Sequence, residues 1–323
     1  MKTSEKLIVA AASAMLGTAG AYCGISKMMT DNCMNRETPA LMRCMQRKMV
    51  KGGDSAAAED DGIAREAERL RTLPLELVHI TARDSVPLTG HWRPVLHPKR
   101  IIIAMHGWRG AWYRDFAGIA DFWNANGCSV LFAEQRAHGL SGGEYLSFGI
   151  LERWDCLDWA SWAAEHCPDP DIPIYLAGIS MGATTVLLAA GETPLPERIR
   201  GVMADCGFTS MDDICAHVCR RDFHLPYALF RPLTGYLCRR RIGYKPDAIS
   251  TPEALAKTAL PVLLVHGLAD SFVPPEMSEK NMEALGDRGT LLLVPGASHG
   301  TSCLTDRTAY ETAVLEFWNR CEK

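Results

Sequence analysis

The chain lacks the signatures of a metal centre. It has twelve cysteines, yet no CxxC pair and no His/Cys spacing that reads as a zinc site. It also lacks a basic excess: 34 Lys and Arg stand against 38 Asp and Glu, for a net charge of -4. A nucleic-acid binder normally shows a basic surplus or stripe, so no nucleic-acid partner is expected. No internal repeat is present. Charge is wholly missing from Leu7 to Ser26 (LIVAAASAMLGTAGAYCGIS). About 20 uncharged, mostly apolar residues can span a bilayer as a helix. Residues 1–26 therefore read as an N-terminal hydrophobic anchor or signal segment, with an uncleaved single-pass membrane anchor preferred. Ala19-Gly20-Ala21 supplies the alternative, a signal-peptidase site. Basic residues flank both ends, Lys2 and Lys6 before the run and Lys27, Arg36 and Arg43 among those after it. The balance leans toward a catalytic domain facing the cytoplasm, and the scattered cysteines lean the same way.

What is present is enough for one large domain: 323 residues, 47% of them hydrophobic. Residues 27–74 read as a tether and a lead-in helix over Glu59–Arg71. The domain proper is expected over 75–323. Two strands at Leu75–Thr81 and Pro87–Arg93 are followed by short, continuous apolar runs at Arg100–Met105, Cys128–Ala133, Ile172–Ala177, Ile199–Ala204, Leu260–Val265 and Thr290–Val294. Runs of this kind suit strands buried on both faces. Helical stretches alternate with them, at Trp112–Asn126, Phe148–His166, Ser180–Ala190, Glu276–Leu285 and Asp306–Arg320. The alternation predicts an α/β fold with a mostly parallel central sheet and helices on both faces. About 50 residues interrupt it, and the stretch 208–258 is expected to be a short helical lid.

One turn carries chemistry. Gly178-Ile179-Ser180-Met181-Gly182 lies between a strand and a helix and matches a nucleophile elbow. Side chains two residues either side of the serine would clash in so tight a turn, so glycine stands there. Taken alone, the stretch could also be a helix N-cap serine after a glycine turn. A nucleophilic serine needs a base, and the base needs an orienting acid. Asp270 lies just past the strand ending at His266-Gly267, and His299 just past the next strand. Their order and placement match Ser, Asp, His in this architecture, and all fall on the sheet edge where open α/β folds bind ligands. Asp205 is the rival acid. His106, His138 and His266 are expected to hold loops. The oxyanion hole is expected from the backbone N–H groups of Met181 and Trp108.

The motifs His106-Gly107-Trp108, Glu134-Gln135-Arg136-Ala137-His138-Gly139, Gly178 to Gly182, His266 to Asp270 and Ser298-His299-Gly300 resemble the α/β-hydrolase superfamily. Asp205 to Ser210 and the helix at 154–159 are similar to its serine-hydrolase branch that includes dipeptidyl-peptidase-like enzymes. The resemblance implies an α/β-hydrolase fold and hydrolysis of an ester, thioester or amide through an acyl-enzyme. Glu134 and Gln135 depart from the usual Asp-x-Arg-x-His-Gly loop, but Arg136 and His138 remain, so the loop is expected to keep its structural role. A serine nucleophile rather than aspartate argues against dehalogenase or epoxide hydrolase chemistry. The expected function is a carboxylesterase-like serine hydrolase acting on a small-molecule or lipid-like acyl substrate. It would use Ser180, His299 and Asp270, with neither metal nor cofactor. A peptidase or an acyl-protein or acyl-lipid thioesterase with the same triad is the alternative. A catalytically silent, membrane-tethered binding module comes last.

Overall fold

The structure is a computed structural model that describes residues 3–37, 61–167 and 169–323, with side chains from residue 17 in the first segment and from 62 in the second. Eight strands form one sheet in the order β1-β2-β4-β3-β5-β6-β7-β8. They are β1 (Glu76–Thr81), β2 (Pro87–Arg93), β3 (Arg100–Met105), β4 (Cys128–Glu134), β5 (Ile174–Ile179), β6 (Ile199–Asp205), β7 (Val262–Gly267) and β8 (Gly289–Val294). β2 runs antiparallel to β1 and to β4, and every other neighbouring pair is parallel. β4 and β7 are buried along their whole length. That burial is why they read as unbroken apolar runs, whereas edge strand β1 alternates.

The helices are α1 (Thr3–Met34), α2 (Asp61–Thr72), α3 (Trp112–Asp115), α4 (Ala120–Ala125), α5 (Glu152–His166), α6 (Met181–Ala189), α7 (Met211–Phe223), α8 (Tyr227–Ile242), α9 (Thr251–Leu255), α10 (Glu276–Leu285), α11 (Ser302–Thr305) and α12 (Arg307–Cys321). One apolar cluster, built from Trp159, Ile103, Leu176 and Leu187 among others, lies under α5 and α6. A second, with Phe116, Trp123, Phe132 and Trp318, lies on the opposite face. α7, α8 and α9 make up the stretch between β6 and β7, so the expected lid is helical.

Several boundaries differ from the sequence reading. Trp112–Asn126 is two short helices, because Gly118 packs where a Cβ would meet Leu304 Cδ2 at 2.9 Å and its carbonyl accepts from Arg307. Phe148 and Gly149 have φ of 56° and 93°, which no α-helix tolerates, so α5 starts at Glu152. There the Glu152 carboxylate accepts the N–H groups of Ser147 and Gly149.

The tether reading of residues 27–37 is corrected. α1 continues through them to Met34, and its second half packs on α8. Tyr22 stacks on Phe230 at 5.9 Å, and Asp31 pairs with Arg241. Residues 38–60, the rest of the expected tether, lie outside the described residues. The ends on either side are both fixed to the domain. Arg36 donates to the carbonyls of Gly139 and Ser141, and Leu70 of α2 is buried in the second cluster. Among the described residues no helix is long and apolar enough to cross a membrane. The side chains of residues 7–16, half of the uncharged run, lie outside them.

Candidate active site

Ser180 sits between β5 and α6 at φ 55°, ψ −116°, a conformation that costs a non-glycine residue of order 1–3 kcal/mol. The two glycines make it possible. A Cβ on Gly178 would lie 2.2 Å from the Gly182 carbonyl oxygen, and one on Gly182 would lie 1.8 Å from the Met105 carbonyl oxygen. The N–H of Ser180 donates to the Asp205 carbonyl at 2.8 Å, tying the turn to β6.

His299 comes from the loop after β8 and Asp270 from the loop after β7. His299 Nε2 lies 2.9 Å from Ser180 Oγ, and Nδ1 lies 2.7 Å from Asp270 Oδ2. An ionised carboxylate only accepts, so the shared proton sits on Nδ1 and Nε2 is left to accept from the serine hydroxyl. Asp270 is itself held. Its Oδ1 accepts the N–H groups of Phe272 and Val273, each at 2.9 Å. Burial pushes the Asp270 carboxyl up, but contacts from His266 and His299 outweigh burial and hold it well below the usual carboxylate range.

The rival acid does not meet the base. Asp205 accepts from Ser302 Oγ at 3.1 Å, and burial pushes its carboxyl up to about 6. The other strand-end histidines hold loops. His106 lies between the Gly107 carbonyl and the Gln135 N–H; His138 accepts from the Arg109 N–H and contacts the Arg136 carbonyl; His266 contacts Ser278 and the Val273 carbonyl. Burial pushes His106 and His138 each down to about 4, so both stay neutral at pH 7. The Glu134–Gly139 loop keeps its structural role. Arg136 is buried between Asp155 and Asp84, and Gln135 reaches the His106 carbonyl and Thr185.

In the loop after β3 the N–H groups are almost all engaged. Gly107 donates to Asp115, Arg109 to His138 and Gly110 to the Gly107 carbonyl. The Trp108 N–H has no partner among the described residues, and neither has that of Met181, which is fully buried. A buried orphan N–H such as that of Met181 is rare, and both groups belong to the turn and the loop that flank Ser180.

Two cavities meet at the serine, and Trp108, Ser180 and Phe272 line both. One, of about 260 Å³, is partly polar and holds Arg114, Asp115, Asp205 and Tyr310. The other, of about 350 Å³, is almost wholly apolar and lies between α7 and α1. Of the apolar lid residues, Phe223, Leu225 and Tyr227 line it, whereas Leu229 and Tyr236 face solvent. The part of α1 was not anticipated. Its last carbonyls are capped from the loop beside the serine: Trp108 Nε1 donates to Cys33, and Arg109 donates to Asn32, Asn35 and Arg36 at 2.7–3.1 Å. Nothing local in residues 27–36 signals these contacts, which cross more than seventy positions.

Among the described residues, the grouping with metal-ligand spacing is Cys206, Asp270 and His299. Asp270 and His299 already bond to each other. Burial pushes the Cys206 thiol well up, which makes it a poor ligand.

Two family models match the chain: serine aminopeptidase, S33, over residues 96–218, and TAP-like protein, over residues 235–322. Protein YqkD of Bacillus subtilis is 29% identical over 191 residues, 59% of this chain and 62% of its own length. A monoglyceride lipase homolog of Monkeypox virus is 29% identical over 107 residues, 32% of this chain and 37% of its own length. The match thus spans less than two thirds of either relative. Among solved structures, the Pyrococcus furiosus esterase Pf2001 superposes with a TM-score of 0.61 at 23% identity, over 77% of this chain and 93% of the esterase.

Proposed function

We propose that the chain, which belongs to the α/β-hydrolase superfamily, is a hydrolase that cleaves carboxylic esters through an acyl-enzyme formed on Ser180. The observation that carries this reading is the unbroken relay Ser180–His299–Asp270 at 2.9 and 2.7 Å. His299 takes the serine proton as Oγ attacks the acyl carbonyl, then hands it to the departing alkoxide. Asp270 fixes the tautomer and offsets the imidazolium charge. The N–H groups of Met181 and Trp108 receive the oxyanion. Water activated by His299 releases the acid and restores the serine. The same machinery opens thioesters. The apolar cavity beside the serine favours an acyl chain over the polar backbone of a peptide, so peptidase activity ranks behind. Contact with a lipid surface through the uncharged run at the start of α1 belongs to the same proposal.

The test is intact mass after treatment with a fluorophosphonate. One adduct on the wild type, absent from Ser180→Ala, is the expected result, together with turnover of 4-nitrophenyl esters that the variant lacks. Undiminished ester turnover by the variant would sink the proposal.

A further inference from the structure

Resting on the esterase reading above, we infer that α1 is a wall of the acyl site and sets the chain length it accepts. A linear fatty-acyl chain of roughly eight to fourteen carbons lies between α1 and α7, with its carbonyl at Ser180.

The argument starts from the cavity. A cavity of about 150 Å³ holds a six-carbon ring, so the 350 Å³ here takes about twice as many carbons. Its exposed lining is overwhelmingly apolar, and it opens on Ser180 beside Trp108. Such a space suits methylenes and has few partners for amides or sugars. The second cavity at the serine carries the Arg114 guanidinium and the Asp115 and Asp205 carboxyls, against Asp222 alone in the apolar one, and is left for the alcohol. The two sides of the scissile bond are thereby told apart.

The position of α1 follows. Ile25, Met28, Met29 and Cys33 line the apolar cavity opposite Ile214 and Val218 of α7. The methionines are the adaptable part of that wall. α1 is not loosely placed: its C-terminal carbonyls are bound by Arg109 and Trp108, and the Leu146 N–H donates to the Met34 carbonyl at 2.7 Å. A pocket wall fixed at one end to the loop beside the serine measures length from the carbonyl.

The experiment uses the full chain and 4-nitrophenyl esters from acetate to hexadecanoate. Each methylene that enters the cavity is expected to raise kcat/KM about fourfold, up to an optimum near decanoate or dodecanoate. Met28→Trp fills the cavity and moves the optimum shorter, lowering the dodecanoate-to-acetate ratio by at least about thirtyfold. Met28→Ala moves it one or two methylenes longer. Fluorophosphonate labelling of Ser180 in each sample reads whether the site is assembled. Should Met28→Trp not label, the Met28→Ala profile decides alone. Labelled proteins with one shared chain-length profile overturn the role of α1 and leave the esterase reading standing. A wild type that neither labels nor turns over any ester overturns the esterase reading itself. A matched dodecanoyl thioester, run beside the oxygen ester, reports which carrier delivers the chain.

Discussion

Asp205 and Asp270 lie at the ends of neighbouring strands, yet the surroundings give them opposite characters. Asp270 is surrounded by donors, two backbone N–H groups and two imidazoles, and stays ionised far into acid. Asp205 is buried with only the Ser302 and Tyr310 hydroxyls for company. Asp270→Asn should lower kcat for a short 4-nitrophenyl ester by about 10⁴-fold, because the imidazole would take the wrong tautomer. Asp205→Asn should lower it less than about tenfold. Steady-state rates that fell in the reverse order would make Asp205 the orienting acid. Asp205 also bears on stability. Burial pushes its carboxyl up to about 6 in the folded chain, above the roughly 3.9 of an unfolded aspartate. Between those values the folded chain holds a proton the unfolded chain has released. Stability therefore declines as pH rises through that window, by on the order of 2–3 kcal/mol. Asp205→Asn keeps a partner for Ser302 and removes that loss. Urea unfolding should show the variant more stable near pH 8 and little changed near pH 4; no gain at pH 8 would refute the effect.

The elbow and the loops around it act as units. Gly182→Ala would drive a methyl group into the Met105 carbonyl, and backbone on both sides leaves no room to yield. A loss of more than about 3 kcal/mol is expected from thermal unfolding. Arg136→Met should cost about 3–5 kcal/mol, since it leaves Asp155 buried without its guanidinium; a near-neutral melt would contradict that. These elements also mark what could be read from the sequence. β3 to β7 were legible because burial on both faces leaves continuous apolar runs, and β8, a half-buried edge strand, keeps an apolar run as well. The candidate triad was legible because Ser180, Asp270 and His299 each follow such a run. The break between α3 and α4 was not, since it depends on Leu304 from far along the chain. Nor was the late start of α5, where positive φ at Phe148 leaves no pattern in composition. Arg109 as a cap on α1 was hidden for the same reason: the carbonyls it binds belong to a distant segment.

At the scale of the molecule, the C-terminal half of α1 is part of the site's architecture. A chain beginning at residue 37 should retain the sheet by circular dichroism. It should lose about 10- to 100-fold in kcat/KM for long-chain esters, as the loop bearing the Trp108 N–H loses its supports, and should bind an apolar dye that the full chain excludes. Unchanged kinetics and dye binding would assign α1 to packing alone. The same helix has a mechanical consequence. It runs unbroken over 32 residues, close to 48 Å at about 1.5 Å per residue. A leash would let the serine wander through every height within its reach. A stiff rod whose last turn is clamped beside the serine permits a single stand-off. Whatever grips the first turns of α1 therefore dictates the altitude and the bearing of the catalytic hydroxyl together.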